Sequence, residues 1–75
     1  MYYQRLRDLR EDHDLNQKEI AALLNTTQQQ YSKYEQGIRE LPTHHLITLA
    51  KFYKTSADYI LGLTNQQRPY RFMDK

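Results

Sequence analysis

The sequence predicts an all-α protein built from five short helices. Apolar residues recur at spacings of three and four, which is typical of amphipathic helices, and no segment alternates apolar and polar residues as a strand does. Only two Gly and two Pro interrupt the 75 residues, so long stretches are free of helix breakers. We therefore expect one small domain over residues 1–63, followed by a tail over residues 64–75.

The first two helices follow from an apolar stripe and a capping signal. Helix one has its stripe on Tyr2, Leu6, Leu9 and His13 and ends in the polar cluster 11–14. Asn16 can cap helix two, and Glu19 stands three residues later, where a capping box needs its acid. Helix two, about two turns long, has its apolar face on Ile20, Ala21, Leu23 and Leu24.

The remaining helices are bounded by similar signals. Thr27 and Gln30 repeat the capping-box spacing at the start of helix three, which runs to Gly37. Beyond Pro42, the fourth apolar stripe consists of Leu46, Leu49, Ala50 and Tyr53. A short fifth helix is predicted from Ser56 to Leu61, with Gly62 after it.

Composition narrows the possible functions. The chain has no Cys, which excludes a disulfide framework and a Cys-ligated zinc site, and its length excludes a separate catalytic domain. No apolar run approaches the roughly 18 residues of a membrane span, and the N-terminus is charged where a signal peptide is apolar, so we expect a cytoplasmic protein. A formal net charge of +2 permits a polyanionic partner.

The sequence offers no basis for predicting catalysis, a cofactor or a metal. No nucleophile, base and orienting group can be nominated together, no phosphate-cradling Gly loop is present, and no small-molecule pocket can be identified. His44 and His45 are adjacent on a helix and point about 100° apart, and neither they nor His13 have a supporting Cys or carboxylate cluster. We expect a protein that is not an enzyme and binds no metal.

Helices two and three form the pattern of a DNA-binding helix-turn-helix. They are joined by about three residues, and the second helix has a polar outer face suited to the major groove. At roughly 100° per residue, Tyr31 and Tyr34 fall on one side of helix three, where a core role is favoured over stacking on bases. The predicted base-contacting residues are Gln28, in the first turn, and Gln29, Ser32, Lys33 and Gln36, on the other side.

The chemistry of this face fits base recognition. A Gln amide offers a donor and an acceptor that match adenine N6 and N7, whereas Lys33 can contact guanine or a phosphate. Gln30 lies nearer the tyrosines, and we expect its side chain to bond back to the Thr27 backbone instead. A solvated polar surface without function is the alternative interpretation of this stripe.

The segment QKEIAALLNTTQQQYSKYEQG resembles the helix-turn-helix of the Xre/Cro-like phage-repressor family, with RLRDLRED before it and LITLAKFYKTSADYILG after it. The resemblance covers residues 5–63 and implies a compact five-helix lambda-repressor-like DNA-binding domain of a transcriptional regulator, such as a repressor. Gln17 and the small Ala21 match family positions. Asn25 stands where the family usually has Gly, and Asn adopts the left-handed conformation more readily than most residues.

The resemblance also implies roles for individual residues. Gln17 corresponds to a phosphate-contacting Gln, and Arg10 and Glu35 match positions that form a buried structural ion pair. Further candidate phosphate contacts are Lys18, Thr27, Arg39 and Thr43. For Thr43, helix capping is an equally good explanation.

Double-stranded DNA is therefore the expected partner. One helix contacts few base pairs, so we expect a homodimer on a palindromic operator. Candidate dimer contacts are Tyr59, Leu63, Tyr70, Phe72 and Met73. The alternatives are a protein-interaction module of antitoxin or adaptor type with the same fold and, with only the segment RPYRF in its favour, binding of RNA or single strands.

Overall fold

Five helices make up the regular structure of the protein. A computed structural model describes residues 3–67, and among these residues it contains helices and no strand. The helices are α1 (Gln4–Asp12), α2 (Gln17–Leu23), α3 (Gln28–Gln36), α4 (Thr43–Phe52) and α5 (Ala57–Ile60). The predicted all-α fold is confirmed. Tyr2, Tyr70, Phe72, Met73 and the segment RPYRF lie outside the described residues.

Side-chain caps start α2 and α5, and the cap of α2 is the one that the sequence predicts. The Asn16 side chain accepts a hydrogen bond from the Glu19 backbone N–H at 2.8 Å, and Glu19 Oε1 accepts one from the Asn16 N–H at 2.8 Å. This reciprocal pair is a complete capping box. At α5, Ser56 Oγ accepts from the Tyr59 N–H at 3.0 Å.

The starts of α3 and α4 depart from expectation. Thr27 Oγ1 accepts from the Gln30 N–H at 3.1 Å, but the Gln30 side chain donates to the Tyr34 hydroxyl at 3.4 Å rather than bonding back to the Thr27 backbone. Gln30 and Tyr34 are four residues apart in α3, so their side chains lie on the same side of the helix and can contact each other. Thr43 is the first helical residue of α4 and makes no capping bond; Pro42, with φ −60°, is the N-cap. The capping role for Thr43 is therefore wrong.

Each of the five helices ends in the same backbone motif. At the end of α3, the Gly37 N–H donates to the Tyr34 carbonyl at 3.2 Å, and the Ile38 N–H donates to the Lys33 carbonyl at 3.0 Å. This bond pair around a left-handed residue is the Schellman motif, which satisfies carbonyls that a helix end leaves free. The left-handed residues of the five motifs are Asp14, Asn25, Gly37, Lys54 and Gly62. Asn25 adopts the conformation that was expected of it.

The core is formed by one side of every helix and by the segments that flank them. Its buried apolar residues are Tyr3, Leu6, Leu9, Ile20, Ala21, Leu24, Tyr31, Tyr34, Leu41, Leu49, Ala50, Tyr53 and Ile60. Tyr31 and Tyr34 are only 0% and 4% exposed, which confirms their predicted place. His13, expected on the apolar stripe, is instead an exposed residue that follows α1.

Arg5 attaches the chain beyond α5 to α1. Its Nη1 donates to the Tyr59 carbonyl at 2.9 Å and to the Thr64 carbonyl, and its Nη2 donates to Asn65 Oδ1 at 2.7 Å. Its guanidinium carbon lies 4.1 Å from the centre of the Tyr59 ring. Thr64 and Asn65 belong to the predicted tail, and these bonds hold them against the domain.

The packing of the helices leaves one side of α3 uncovered. α2 packs most extensively against α3, α1 contacts α3 and α5, and α4 packs on α5. The inner side of α3 therefore faces α1 and α2, whereas its outer side is open. Within residues 3–67, no helix has the length and apolar character that crossing a membrane requires.

Candidate nucleic-acid interface

The outer side of α3 borders a shallow depression, which we call the α3 depression. Its lining residues are Gln17, Gln28, Gln29, Ser32, Lys33, Gln36 and Ile38. The structure thus brings together all five residues predicted to contact bases and Gln17, which was predicted to contact a phosphate. Four amides, a hydroxyl and an ammonium group share one concave surface that offers both hydrogen-bond donors and acceptors.

The polar groups on this surface differ in how firmly they are held. Gln28, Gln29 and Gln36 are exposed, while Ser32 and Lys33 are half-buried. Gln36 Nε2 donates to Ser32 Oγ at 2.7 Å, one turn away on the same helix. The Ser32 hydroxyl hydrogen, the second amide hydrogen of Gln36 and the Gln36 carbonyl oxygen are left for a ligand, as two donors and one acceptor.

Beneath the depression, Glu35 accepts hydrogen bonds from side chains on three helices, an arrangement we call the Glu35 hub. Arg10 of α1 donates twice, from Nε at 2.6 Å and from Nη2 at 3.2 Å. Gln17 of α2 donates from Nε2 at 3.1 Å, and the Tyr31 hydroxyl of α3 donates at 2.7 Å. The side chains of Arg10 and Glu35 are only 13% and 5% exposed. The hub fixes the orientation of α3 relative to α1 and α2.

The hub holds its charges in defined states. Burial raises the pKa of the Glu35 carboxyl, but hydrogen bonds from Arg10, Tyr31 and Gln17 outweigh burial, so this pKa lies below its ordinary value. The hydrogen bond to Glu35 raises the pKa of Arg10. Burial and the nearby carboxylate raise the pKa of Tyr31. At neutral pH the hub therefore contains an ionised Glu35, a charged Arg10 and a neutral Tyr31.

Gln17 connects the hub to the surface. One of its amide hydrogens is used by Glu35, which leaves the second hydrogen and the carbonyl oxygen. The Asn16–Glu19 capping box already occupies one backbone N–H at the start of α2 and places a carboxylate there. A phosphate contact at this point depends on the Gln17 side chain more than on free backbone amides.

The other four residues predicted to contact phosphates lie outside the lining of the depression. They are Lys18 on α2, Thr27 at the start of α3, Arg39 after α3 and Thr43 at the start of α4. All four are exposed. They occupy separate elements of the chain.

Ile38 also lines the α3 depression, and it is not among the residues predicted to contact DNA. Its side chain is 65% exposed, the largest exposed fraction after Leu63 among the exposed large hydrophobic residues of the described chain. The available signal was its position directly after Gly37, at the end of α3.

The histidines pack against aromatic rings. The His45 ring centre lies 5.9 Å from that of Tyr34 and 4.2 Å from that of His44. Burial and the neighbouring His44 lower the pKa of His45. Among residues 3–67, no three His, Cys, Asp or Glu side chains are grouped so that they could hold a metal ion.

Comparison with known proteins agrees with this geometry. The model of the family described as helix-turn-helix matches residues 6–60. The chain is 41% identical over 69 residues to the uncharacterised HTH-type transcriptional regulator YobD of Bacillus subtilis, an alignment that covers 92% of this chain and 62% of YobD. It is 38% identical over 58 residues to the HTH-type transcriptional regulator ImmR of the same species, covering 77% of this chain and 46% of ImmR.

A third relative comes from a phage. The chain is 38% identical over 53 residues to the cryptic phage CTXphi transcriptional repressor RstR of Vibrio cholerae, covering 71% of this chain and 48% of RstR. No solved structure matches the chain. The chain spans 46% to 62% of the lengths of these three relatives.

Proposed function

The chain belongs to the helix-turn-helix family, and on that premise we propose that it binds double-stranded DNA sequence-specifically as a transcriptional regulator. Repression is the proposed direction, because one of its relatives is named a transcriptional repressor. The proposal gives the chain no catalytic role. It also places the protein in the cytoplasm, where a bacterial or phage operator is found.

The observation that carries the proposal is the α3 depression. The nine residues of α3 form a rod about 13 Å long, and the major groove of B-DNA, about 12 Å wide, admits an α-helix. The outer side of the rod carries amide, hydroxyl and ammonium groups, while its inner side is fixed by the core and the Glu35 hub. Such a helix can enter the groove without disturbing the packing behind it.

Each residue of the depression has a proposed part in base recognition. Gln28 and Gln29, in the first turn of α3, are suited to bidentate bonds with adenine, and a good bidentate pair discriminates by about 1–3 kcal/mol. Beyond the bond they share, Ser32 offers its hydroxyl hydrogen, and Gln36 offers its second amide hydrogen and its carbonyl oxygen. Lys33 is placed to contact guanine or an adjacent phosphate.

Phosphate contacts surround this recognition surface in the proposal. Gln17 contributes its second amide hydrogen from the wall of the depression. The exposed side chains that would hold the phosphate backbone around it are Lys18, Thr27, Arg39 and Thr43. With only two or three cations involved, we expect binding to depend moderately on salt.

We further propose a homodimer on a palindromic operator, because a single short helix contacts too few base pairs to compete with non-specific sites. Of the candidate dimer contacts, Tyr59 is half-buried beneath Arg5, whereas Leu63 is 72% exposed. Leu63 is therefore the described residue best placed for such a contact. The other candidates lie beyond residue 67.

The test is selection of bound duplexes from a random pool at physiological salt. We expect enrichment of a two-fold symmetric site, lost on Gln29→Ala because this substitution removes an amide from the recognition surface. Gln66→Ala, which changes an exposed Gln outside the depression, is the matched control and should enrich the same site. Recovery of no consensus would overturn the proposal and favour a protein-interaction module of antitoxin or adaptor type.

A further inference from the structure

Ile38 is an apolar side chain in an otherwise polar depression. The other lining residues are four glutamines, a serine and a lysine. With 65% of its surface exposed, Ile38 presents methyl groups to the same space as Lys33 and Gln36. An exposed Ile does not stabilise a polar surface that has no partner, because hydration of apolar area is unfavourable.

The backbone holds Ile38 in a fixed place. Its N–H donates to the Lys33 carbonyl at 3.0 Å, and the preceding Gly37 is in the left-handed conformation with φ 79°. Ile is also β-branched, so its first side-chain torsion is restricted. A contact made by Ile38 therefore costs little conformational entropy.

Helix termination does not account for the side chain. In a Schellman motif the residue at this position often packs on an apolar residue five positions earlier, but here that residue is Lys33. At the equivalent position after α1, Leu15 is partly buried and packs against the core. Ile38 has the same backbone geometry but remains mostly exposed.

We propose that Ile38 is a specificity-determining residue that recognises thymine through its C5-methyl group. Thymine is the one base that presents a methyl group in the major groove, and an apolar side chain next to recognition amides is its natural partner. The inference rests on the proposed function. It adds a residue from the segment after α3 to the predicted set, all of whose base-contacting members lie within that helix.

The expected change in DNA affinity is that of burying one methyl group. Burial of a single methyl-sized group changes affinity about four-fold. Replacing thymine with deoxyuridine removes this methyl and leaves every hydrogen-bonding group of the base in place. The substitution therefore isolates the proposed contact from those of the glutamines.

The experiment starts from the selected operator. Each thymine is replaced singly by deoxyuridine, and the Kd is measured for the unaltered protein, for Ile38→Ala and for Ile47→Ala. Ile47 is an exposed Ile on α4, 48% exposed and outside the depression, which makes it the matched control. In each half-site, we expect one thymine to be sensitive to this replacement. At that position, deoxyuridine should raise the Kd about four-fold for the unaltered protein and for Ile47→Ala. It should leave the Kd of Ile38→Ala unchanged.

The outcomes separate this inference from the proposed function. If operator binding is normal and no deoxyuridine changes the Kd, or if Ile38→Ala retains the full loss, the role of Ile38 is overturned and the proposed function stands. If no operator is selected at all, both fail. Circular dichroism of Ile38→Ala is expected to match the unaltered protein, because an exposed side chain contributes little to the fold.

Discussion

Glu35 is both buried and ionised, and its hydrogen-bonding partners offset the unfavourable free energy of burying the charge. An ionised carboxylate away from water is unfavourable unless its oxygens accept enough hydrogen bonds. Here they accept four, from Arg10, Gln17 and Tyr31. Removing the charge leaves Arg10 as a nearly buried cation without its counter-ion.

We therefore expect Glu35→Gln to lower the free energy of unfolding by about 3 kcal/mol, because breaking one side of a buried pair strands the other charge. Glu11→Gln is the control: Glu11 pairs with Arg7 through side chains that are 53% and 59% exposed. That change should cost no more than about 1 kcal/mol. Urea unfolding at neutral pH measures both, and equal effects would contradict a structural role for the hub.

Acid should weaken the protein through the same carboxylate. The pKa of Glu35 in the folded chain lies below its ordinary value of 4.5, so the unfolded chain binds the proton more readily. The stabilisation is complete above about pH 4.5 and is lost as the pH falls through the folded-state pKa. We expect the loss of unfolding free energy between about pH 6 and about pH 3 to be smaller in Glu35→Gln. Identical losses would show that other carboxylates dominate acid unfolding.

At the scale of elements, the helix ends contain local strain that a sequence change can relieve. Lys54 is left-handed with φ 57°, a conformation that costs a residue with a Cβ about 1–2 kcal/mol. Lys54→Gly should raise the free energy of unfolding by about 1 kcal/mol, net of the greater chain entropy of Gly. The effect of Asn25→Gly should be smaller, because Asn tolerates this conformation.

The reverse change at α5 is the control for this prediction. Gly62 has φ 81°, and a Cβ added there meets no atom within 4 Å. Gly62→Ala should therefore lower the unfolding free energy by about 1 kcal/mol through backbone conformation alone. Thermal unfolding of the variants checks both signs. A loss of stability in Lys54→Gly would show that its side chain makes a contribution larger than the strain.

The sequence predicted those elements whose signals are local. All five helices were placed in order, and the caps at Asn16 and Thr27 and the left-handed Asn25 follow from residue type and spacing. The left-handed Asp14 and Lys54 were not predicted, because neither residue favours that conformation as Gly does. For Ile38, only the fold shows that the segment after α3 lines the α3 depression.

For the molecule as a whole, Arg5 joins parts of the chain that are far apart in sequence. Its acceptors lie 54 to 60 residues away, and no local pattern marks such a contact. Together with the bond from the Thr55 hydroxyl to the Gln67 carbonyl, it holds residues 64–67 on the domain. We therefore propose that the domain continues beyond the boundary predicted at residue 63.

A double-mutant cycle tests this extension. Arg5→Ala should lower the unfolding free energy of the full chain by about 1–2 kcal/mol, since several hydrogen bonds and a stacked ring are lost. In a chain ending at residue 63 the same substitution should cost less, because Thr64 and Asn65 are already gone. Arg39→Ala, which changes an exposed Arg after α3, is the control and should be additive with truncation. If the effects of Arg5→Ala and of truncation on the unfolding free energy were also additive, the domain would end at residue 63 as predicted.

The two sides of α3 are under different physical constraints. Tyr31, Tyr34 and Glu35 on the inner side maintain the fold, whereas Gln28 and Gln29 are exposed and lie on the outer side. Exposed substitutions usually change stability by less than about 0.5 kcal/mol. Under the proposed function, mutations that alter the operator preference can therefore accumulate on the outer side without first requiring a more stable scaffold. A duplicated copy of a gene for such a protein could then acquire a new target site within a few substitutions. The same separation makes the outer side of α3 the place to randomise in a test of whether the proposed DNA recognition can be retargeted.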